Sequence, residues 1–268
     1  MLRSIPVDDP ADPRLSPFTA MRERDLVGRE GRFIVEGEVT LRVMLSDRSR
    51  FSLESILISP ERAAGLDGVL AGLPEDTPVY VANKAVMSAV TGFPIHRGVL
   101  AVGLRGPQGP LVPPPVPAPC LVVGLVGLTN HDNVGGLFRN AAAFGADGVL
   151  LDAATCDPLY RKAIRVSAGA ALTVPFWRLP DGAALLAFAE AHALVPLALS
   201  PAGRETLSEM VAPPRALLLL GTEGPGLPQV LMARARTVRI AMAAGFDSLN
   251  VATAGALALH HLAAARLG

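Results

Sequence analysis

One local pattern occurs three times in the second half of the chain: an apolar run, a glycine-bearing loop and a helix-forming stretch. In the last copy, residues 237–241 place β-branched residues at alternate positions, as short strands do, and residues 250–267 form an Ala- and Leu-rich stretch without proline that predicts a helix. Between them Gly245 permits a tight turn, and Asp247 or Ser248 supplies an oxygen to cap the helix. Because open α/β sheets form ligand sites at the carboxyl ends of their strands, the repetition predicts one shared site.

A proline-rich stretch divides the chain. Residues 106–119 contain seven prolines, which favour a semi-rigid polyproline II spacer. We therefore expect an N-terminal domain over 1–105, a linker over 106–119 and a second domain over 120–268. The first 20 residues, rich in proline and aspartate, predict an extended or mobile arm, and residues 33–104 predict a compact α/β unit.

The second domain alternates buried strands with helices, which is typical of an α/β fold with a parallel sheet covered on both faces. The near-continuous apolar runs predict strands at residues 121–126, 148–151, 194–199, 216–220 and 238–241.

Composition excludes several classes of protein. Half of the residues are hydrophobic, yet no apolar run approaches the roughly eighteen residues that span a bilayer. The N-terminus has no apolar signal core, so we expect a cytoplasmic protein that does not insert into membranes. Cys120 and Cys156 lie in different segments without metal-ligand spacing, which predicts two buried thiols and no metal site.

Basic residues are candidates for contact with nucleic acid, although the formal net charge of zero argues against a general electrostatic grip. The candidates form an N-terminal group, which is equally well read as a solvated helix face, and a second group near His96: Arg22, Arg24, Arg29 and Arg32, then Lys84 and Arg97.

The first loop leads into a helix that begins near Asn133, which sits where a cap is expected. The apolar positions of that helix form its inward stripe: Val134, Leu137, Phe138 and Ala141. Glycines in its first turn are poor helix formers. Arg139 is four residues beyond Gly135 and lies on nearly the same face of the helix. Its side chain leans towards the N-terminus, so its guanidinium covers a place suited to a phosphate or ribose. A plain cap with a solvated arginine is the structural alternative.

The second loop is Gly221-Thr-Glu-Gly-Pro-Gly-Leu227 and follows a buried strand. Its three glycines let the backbone approach a ligand closely. The spacing matches neither the dinucleotide fingerprint nor a phosphate-binding P-loop. Glu223 is expected to tie this loop to a neighbouring backbone. In the third loop, Ser248 and Asn250 either cap the helix or belong to the shared site.

Together these loops resemble the three signature motifs of the SpoU (TrmH-like) RNA methyltransferases of the SPOUT superfamily. The matching segments are Asn133-x5-Arg139 with Phe144-Gly145, Gly221 to Leu227, and Ser248-Leu-Asn-Val251. Arg161-Lys-Ala163 and Ser167-Ala-Gly-Ala170 also resemble the segment that connects the first two motifs. The Phe33-Ile-Val-Glu-Gly37 stretch and the unit after it resemble an L30e-like substrate-binding domain. The resemblance covers residues 20–268.

The resemblance implies a trefoil-knotted catalytic domain, a homodimer, an RNA partner and S-adenosyl-L-methionine as cofactor, with no metal. It implies methylation of a ribose 2′-hydroxyl in structured rRNA or tRNA, with specificity set by the N-terminal domain. By position it assigns cofactor contacts to the second and third loops and to the turn after the 194–199 strand: Leu199, Gly221, Glu223, Gly226, Ile240, Met242 and Leu249.

The resemblance also implies that Arg139 acts as the base that activates the hydroxyl. Because a guanidinium stays charged at accessible pH, we favour a different role, in which Arg139 orients the hydroxyl and stabilises developing alkoxide charge. Asn133, Ser248 and Asn250 are then expected to fix the ribose and the loop.

Three alternatives remain open from the sequence. One is an RNA-binding protein with this fold that has lost methyl transfer. Another is methylation of a base instead of a ribose. The third, a nicotinamide-dependent oxidoreductase, is disfavoured because the glycine fingerprint and its ribose-binding acid are missing.

Overall fold

A computed structural model of the 268-residue chain describes residues 4–19, 31–107, 109–246 and 248–267. Within these residues the strands are β1 Ser4–Pro6, β2 Arg32–Glu36, β3 Ser52–Ile58, β4 Val79–Val81, β5 Val99–Leu104, β6 Cys120–Leu125, β7 Gly148–Leu151, β8 Phe176–Arg178, β9 Val195–Leu199, β10 Glu205–Thr206, β11 Arg215–Leu220 and β12 Arg236–Arg239. The α-helices are α1 Glu38–Met44, α2 Pro60–Gly65, α3 Asp67–Leu70, α4 Lys84–Thr91, α5 His131–Ala143, α6 Arg161–Val166, α7 Gly182–Ala191, α8 Gln229–Met232 and α9 Val251–Leu267.

The described residues form two compact units. The first unit takes its residues from Met1–Pro107 and Leu159–Thr173, and the second from Gln108–Pro158 and Val174–Gly268. The first unit therefore includes α6, a segment that the linear division at residues 106–119 assigned to the second domain. That division remains a prediction about domains.

The first unit contains a mixed five-stranded sheet in the order β1-β4-β3-β5-β2. Strands β1, β4 and β3 are parallel, whereas β5 runs antiparallel to both β3 and β2. One core cluster joins Leu57, Leu100 and Val102 of the sheet to Met87 and Val90 of α4. Asn83 caps α4 by accepting a hydrogen bond from the Val86 N–H at 2.9 Å.

Residues 4–19, for which the sequence predicted an extended or mobile arm, are extended only at Ser4–Pro6 and are packed against the rest of the first unit. Strand β1 pairs with β4, and a 3₁₀ helix, Pro13–Phe18, follows it. Leu15 and Phe18 are buried in the core of the first unit, so apolar burial outweighs the local preference of a proline-rich segment. Three of the arginines proposed for RNA contact, Arg22, Arg24 and Arg29, lie outside the described residues.

The second unit confirms the α/β fold with a parallel sheet. Its seven strands are all parallel, in the order β10-β12-β9-β11-β6-β7-β8. All five predicted strands are present. Strands β8 and β10 were not predicted, because three and two residues are too few for a periodic pattern to emerge.

Helices cover this sheet on both faces. On one face, α7 packs Leu185, Leu186 and Ala189 into a cluster with apolar residues of β6 and β11. The other face carries α5 and α9, and the ring of Phe138 on α5 meets Phe176 of β8 edge to face at 5.7 Å between centroids. Predicted inward positions of α5 are buried: Val134, Leu137, Phe138 and Ala141.

Within the described residues, no helix has the length and apolar character needed to cross a membrane. Cys120 is buried as predicted, whereas Cys156 is only partly buried. Burial, with a smaller contribution from the adjacent Asp157, raises the pKa of the Cys156 thiol to about 11.

Helices α5 and α9 pack closely because small residues face each other. A Cβ added to Gly136 would lie 2.9 Å from the Cβ of Ala252, and one added to Gly255 would lie 2.5 Å from a methyl of Leu137. Bare glycine therefore brings the two helices into direct contact, which explains why a poor helix former stands in the first turns of α5.

We expect Gly136→Ala to destabilise the second unit by about 1–3 kcal/mol, because the helices must separate to admit the methyl group. Helix propensity alone predicts the opposite sign, a gain of up to about 1 kcal/mol. Unfolding in urea, followed by fluorescence of Trp177, the one tryptophan of the chain, measures the change in this unit.

Ala142→Gly, at an exposed site on the same helix, gives the local propensity difference as a matched control. If Gly136→Ala stabilises the unit by the amount that Ala142→Gly destabilises it, close packing is not the reason for the glycine.

Candidate active site

Four adjacent strands of the parallel sheet end at the same edge, as the repeated pattern predicted. They stand in the order β12, β9, β11, β6, and the three loops follow β6, β11 and β12. A cavity of about 450 Å³ opens among the residues that follow β9, β11 and β12. That volume lies within the roughly 300–1,000 Å³ typical of small-molecule sites.

Nine of the predicted site residues line this cavity. Seven are those that were assigned to the cofactor and two to catalysis: Leu199, Gly221, Glu223, Gly226, Ile240, Met242 and Leu249, together with Ser248 and Asn250. Asn133 and Arg139 are not among the lining residues. The sequence therefore located the pocket. Asn133 reaches its wall through hydrogen bonds with Glu223 and Asn250, whereas the structure shows no hydrogen bond or ion pair between Arg139 and a lining residue.

The glycines of the second loop let the backbone fold back on itself at the cavity wall. A Cβ on Gly221 would lie 2.5 Å from both the carbonyl carbon of Gly226 and the nitrogen of Leu227, so only glycine fits there. Gly226 adopts a φ of 70° and its N–H donates to the Thr222 carbonyl at 3.2 Å. The wall is thus formed largely by main-chain groups, which offer fixed donors and acceptors to a bound ligand.

One hydrogen-bonded joint connects the three loops, and it consists of Asn133, Glu223 and Asn250. The Nδ2 group of Asn133 donates to Oε1 of Glu223 at 2.9 Å. The Nδ2 group of Asn250 donates to the same Oε1 at 3.0 Å and to Oδ1 of Asn133 at 2.8 Å. Each loop contributes one side chain, so the joint fixes the loops relative to one another.

The joint corrects two predictions about individual residues. The sequence predicted that Glu223 ties its loop to a neighbouring backbone group. In the structure it accepts hydrogen bonds from two side-chain amides instead. Asn133 is not the cap of α5: that role belongs to Asn130, whose Oδ1 accepts from the Asp132 N–H at 2.8 Å. Because α5 begins earlier than the sequence indicated, Asn133 falls within its first turn, where its buried amide is available to the joint.

Asn250 has two functions at once. Its Oδ1 accepts hydrogen bonds from the N–H groups of Ala252 and Thr253, at 3.0 and 3.3 Å, and so caps α9. Its Nδ2 serves the joint. The sequence offered Asp247, Ser248 and Asn250 as caps, and the structure gives this role to Asn250; Asp247 lies outside the described residues, and Ser248 lines the cavity.

Asn140 is a further positioning residue that the sequence did not reveal. Its Nδ2 group donates to the carbonyl of Ala252 at 2.8 Å, two residues beyond the cap of α9. It follows Asn133 by seven residues, and this two-turn spacing is the signal that places both amides on one face of α5. Together they hold the start of α9 against α5.

Arg139 is exposed on α5, and no described residue is its hydrogen-bond or ion-pair partner. A side chain that the structure does not hold in place is available to a ligand.

The segment that follows the turn after Leu199 is tied to β12. Arg236 of β12 binds Glu205 of β10 through two hydrogen bonds of 3.0 and 2.6 Å. These bonds lower the pKa of the Glu205 carboxyl.

Sequence reasoning omitted other residues that line the cavity. They lie inside or directly beside the recognised segments, which is the signal that identifies them: Ser200, Pro201, Leu220, Thr222, Gly224, Val251 and Ala254.

The remaining candidate residues belong to the first unit. Arg32 stands in β2 and not on a helix face, and its Nε donates to Glu54 at 2.7 Å. Lys84 at the start of α4 and Arg97 in the loop before β5 are both exposed. Among the described residues there is no group of three or more His, Cys, Asp or Glu that is arranged to hold a metal ion.

Comparison with known proteins gives a consistent result. A family model described as the SpoU rRNA Methylase family matches residues 120–260. An uncharacterized tRNA/rRNA methyltransferase of Mycobacterium bovis is 40% identical over 263 residues, which cover 95% of this chain and 90% of that protein.

Solved structures agree with this result. A crystal structure of an RNA 2′-O ribose methyltransferase is 25% identical, has a TM-score of 0.80 and covers 98% of this chain and 100% of its own. The SpoU methyltransferase AviRb of Streptomyces viridochromogenes, crystallised with AdoMet, has a TM-score of 0.81 at 23% identity, over 96% of this chain and 99% of its own. The second likeness concerns the fold.

We expect Asn250→Asp to destabilise the second unit by about 1–2 kcal/mol. Aspartate caps a helix as well as asparagine does, but it has no N–H to donate to Asn133 and it places a second carboxylate beside Glu223. The urea midpoint of the Trp177 fluorescence transition measures the loss.

Asn130→Asp is the matched control, because it makes the same change at a cap for which the structure gives no hydrogen bond beyond the one from Asp132. It is expected to shift stability by less than about 0.5 kcal/mol. Equal effects of the two substitutions would show that the joint contributes nothing.

Proposed function

Because the chain belongs to the SpoU rRNA methylase family, we propose that it transfers the methyl group of S-adenosylmethionine to a ribose 2′-hydroxyl of a structured rRNA or tRNA. Membership makes the protein an RNA methyltransferase; the ribose as acceptor is the finer part of the proposal. The observation that carries it is the joint of Asn133, Glu223 and Asn250, which ties the first signature motif to the two signature loops that line the cavity.

The cavity suits the cofactor in chemistry as well as in size. Its apolar residues Leu199, Ile240 and Leu249 offer surfaces for an adenine ring, and the main chain of the second loop offers hydrogen bonds to polar atoms. The cofactor supplies a methyl group on sulfur that is already a good electrophile. The protein therefore mainly has to hold that methyl group in line with the oxygen that attacks it.

The acceptor hydroxyl is the difficult partner, since it is a weak acid that must lose its proton near the transition state. Arg139 stays protonated, and its exposed guanidinium is not engaged by any described residue. We assign it the role of binding the hydroxyl and a neighbouring phosphate, and of stabilising the alkoxide charge as it develops. Ser248 and Asn250, at the cavity wall, are assigned to fixing the ribose.

Further parts of the proposal follow from the family. The second unit is proposed to carry the trefoil knot and to work as a homodimer in the cytoplasm. The first unit is proposed to be an L30e-like domain that recognises the shape of the RNA, with contacts from basic residues that include Arg32, Lys84 and Arg97. Its mixed sheet and the exposure of Lys84 and Arg97 support this assignment.

The test of the proposal is methyl transfer to total rRNA and tRNA from a strain that lacks the gene. Labelled S-adenosylmethionine is the donor, and the digested RNA is mapped for 2′-O-methyl nucleosides. Label on one ribose is the expected result. Label on a base would overturn the ribose assignment, and cofactor binding without label on either RNA would favour an RNA-binding protein without transfer.

Arg139→Ala is expected to lower kcat by about 100-fold or more, because one preorganised donor to a developing oxyanion is lost. Arg139→Lys is expected to lose most activity as well, because an ammonium group cannot bind two atoms in one plane. Cofactor affinity, measured by calorimetry, should stay unchanged, since Arg139 does not line the cavity.

Arg234→Ala is the matched control, an exposed arginine of the same unit outside the cavity, and it should keep full activity. Near-normal kcat in Arg139→Lys would contradict a planar, two-pronged role for the guanidinium.

A further inference from the structure

Arginines gather in the first unit around the short segment at residues 36–38, where β2 ends and α1 begins. Glu36 is shared by two of them, with Arg161 Nη1 and Arg165 Nη1 at 3.4 and 3.2 Å from its Oε2. Glu38 is shared by two more arginines: Arg42 Nη2 lies 2.9 Å from its Oε1, and Arg62 Nη1 lies 3.8 Å from its Oε2. Arg97 lies against Gly37 between them. We call these five residues the arginine cluster: Arg42, Arg62, Arg97, Arg161 and Arg165.

Arg97 completes the cluster between the two shared carboxylates. Its Cδ and Nη1 lie against Gly37, so close that a Cβ on that glycine would be 3.1 Å from both atoms. Arg97 is exposed, and no described residue is its ion-pair partner. Arg42 and Arg62 thus share the Glu38 carboxylate, and Arg97 adds a third guanidinium next to it, against Gly37.

The sharing of each carboxylate by two arginines differs from an ordinary structural ion pair, in which each cation has its own anion. Elsewhere in the unit, Arg14 has its own acid, Asp12, which it binds with three side-chain hydrogen bonds. Arg161 and Arg165 stand one turn apart on α6, a spacing at which like charges repel. Glu36 lies within 3.4 Å of both arginines and so holds them together.

The charged groups are accessible to a partner. The side chains of Arg42, Arg62 and Arg165 are 49%, 51% and 37% exposed, and Glu36, which organises two of the arginines, is only 11% exposed. Arg161 is ordered further by stacking on the ring of Phe93, 4.0 Å from its centroid. The arrangement presents cations outward and keeps the Glu36 carboxylate largely inward.

We propose that the arginine cluster binds phosphates of the RNA substrate, an inference that rests on the proposed function. The planar fork of a guanidinium matches a phosphate, and a phosphate can reach the exposed guanidinium groups of Arg42, Arg62, Arg97 and Arg165. Structured RNA is bound mainly through its phosphates and its shape. The chain has 24 basic and 24 acidic residues, so its net charge does not attract RNA. The arginines around Glu38 give this surface a local excess of positive charge that does attract a polyanion.

The test is RNA binding by the full-length protein over a range of KCl concentrations, with bulk tRNA and purified rRNA as probes. Arg165→Gln and Arg97→Gln should each weaken binding severalfold and reduce the slope of log Kd against log salt by about 1. Glu38→Gln should have the opposite effect, tighter binding and a steeper slope, because it removes a competing anion. Arg14→Gln, an equal loss of charge in the same unit, should leave the slope unchanged.

Several results would overturn the inference. One is an equal slope change in Arg14→Gln and Arg165→Gln. Another is weaker binding by Glu38→Gln, which would make the cluster a purely structural network. Competition by poly-glutamate as effective as that by RNA would assign the surface to an acidic protein.

The assay separates this inference from the proposed function, because binding is read without methyl transfer. If the wild-type protein methylates a ribose and the cluster variants keep its KM and salt slope, the inference alone fails. If the variants change the slope but the wild type transfers no methyl group, the proposed function alone fails. Calorimetry with S-adenosylmethionine and circular dichroism verify that each variant is folded.

Discussion

The joint of Asn133, Glu223 and Asn250 is the interaction on which the site depends. A parallel sheet brings the carboxyl ends of its strands to one edge, but it does not fix the loops that follow them. Three side chains, one from each loop, meet at a single carboxylate oxygen and at one amide. Asn250 serves two purposes in this contact, because its Oδ1 caps α9 and its Nδ2 joins the loops.

The joint works only because α5 and α9 approach each other closely. Gly136 and Gly255 remove the side chains that would keep the helices apart, and Asn140 then reaches the first turn of α9. The conformational cost of glycine in a helix is thus offset by contact that brings Asn133 and Asn250 within hydrogen-bonding distance. The close packing of α5 and α9 is therefore also what positions the side chains of the joint.

The two units present different kinds of surface. The cavity of the second unit is lined by apolar side chains and main-chain groups, as a site for a small cofactor requires. The first unit carries the arginine cluster, a surface of charges on half-exposed side chains. The even overall charge of the chain does not argue against an RNA partner, since binding depends on where charges stand and not on their sum.

The sequence by itself determined the α/β class, the five long strands of the second unit and nine residues of the cavity wall, because apolar runs and glycine-bearing loops are local patterns. Short strands such as β8 and β10 have too few residues to produce a pattern, and β1 forms only because the first sheet offers it an edge. Only tertiary structure decided that Asn130 caps α5, that Asn133 turns instead to Glu223, and that Arg161 and Arg165 group with Glu36. The last two are choices among partners distant in sequence, made by geometry that no local pattern records; the cap at Asn130 is a local contact whose position depends on where α5 begins.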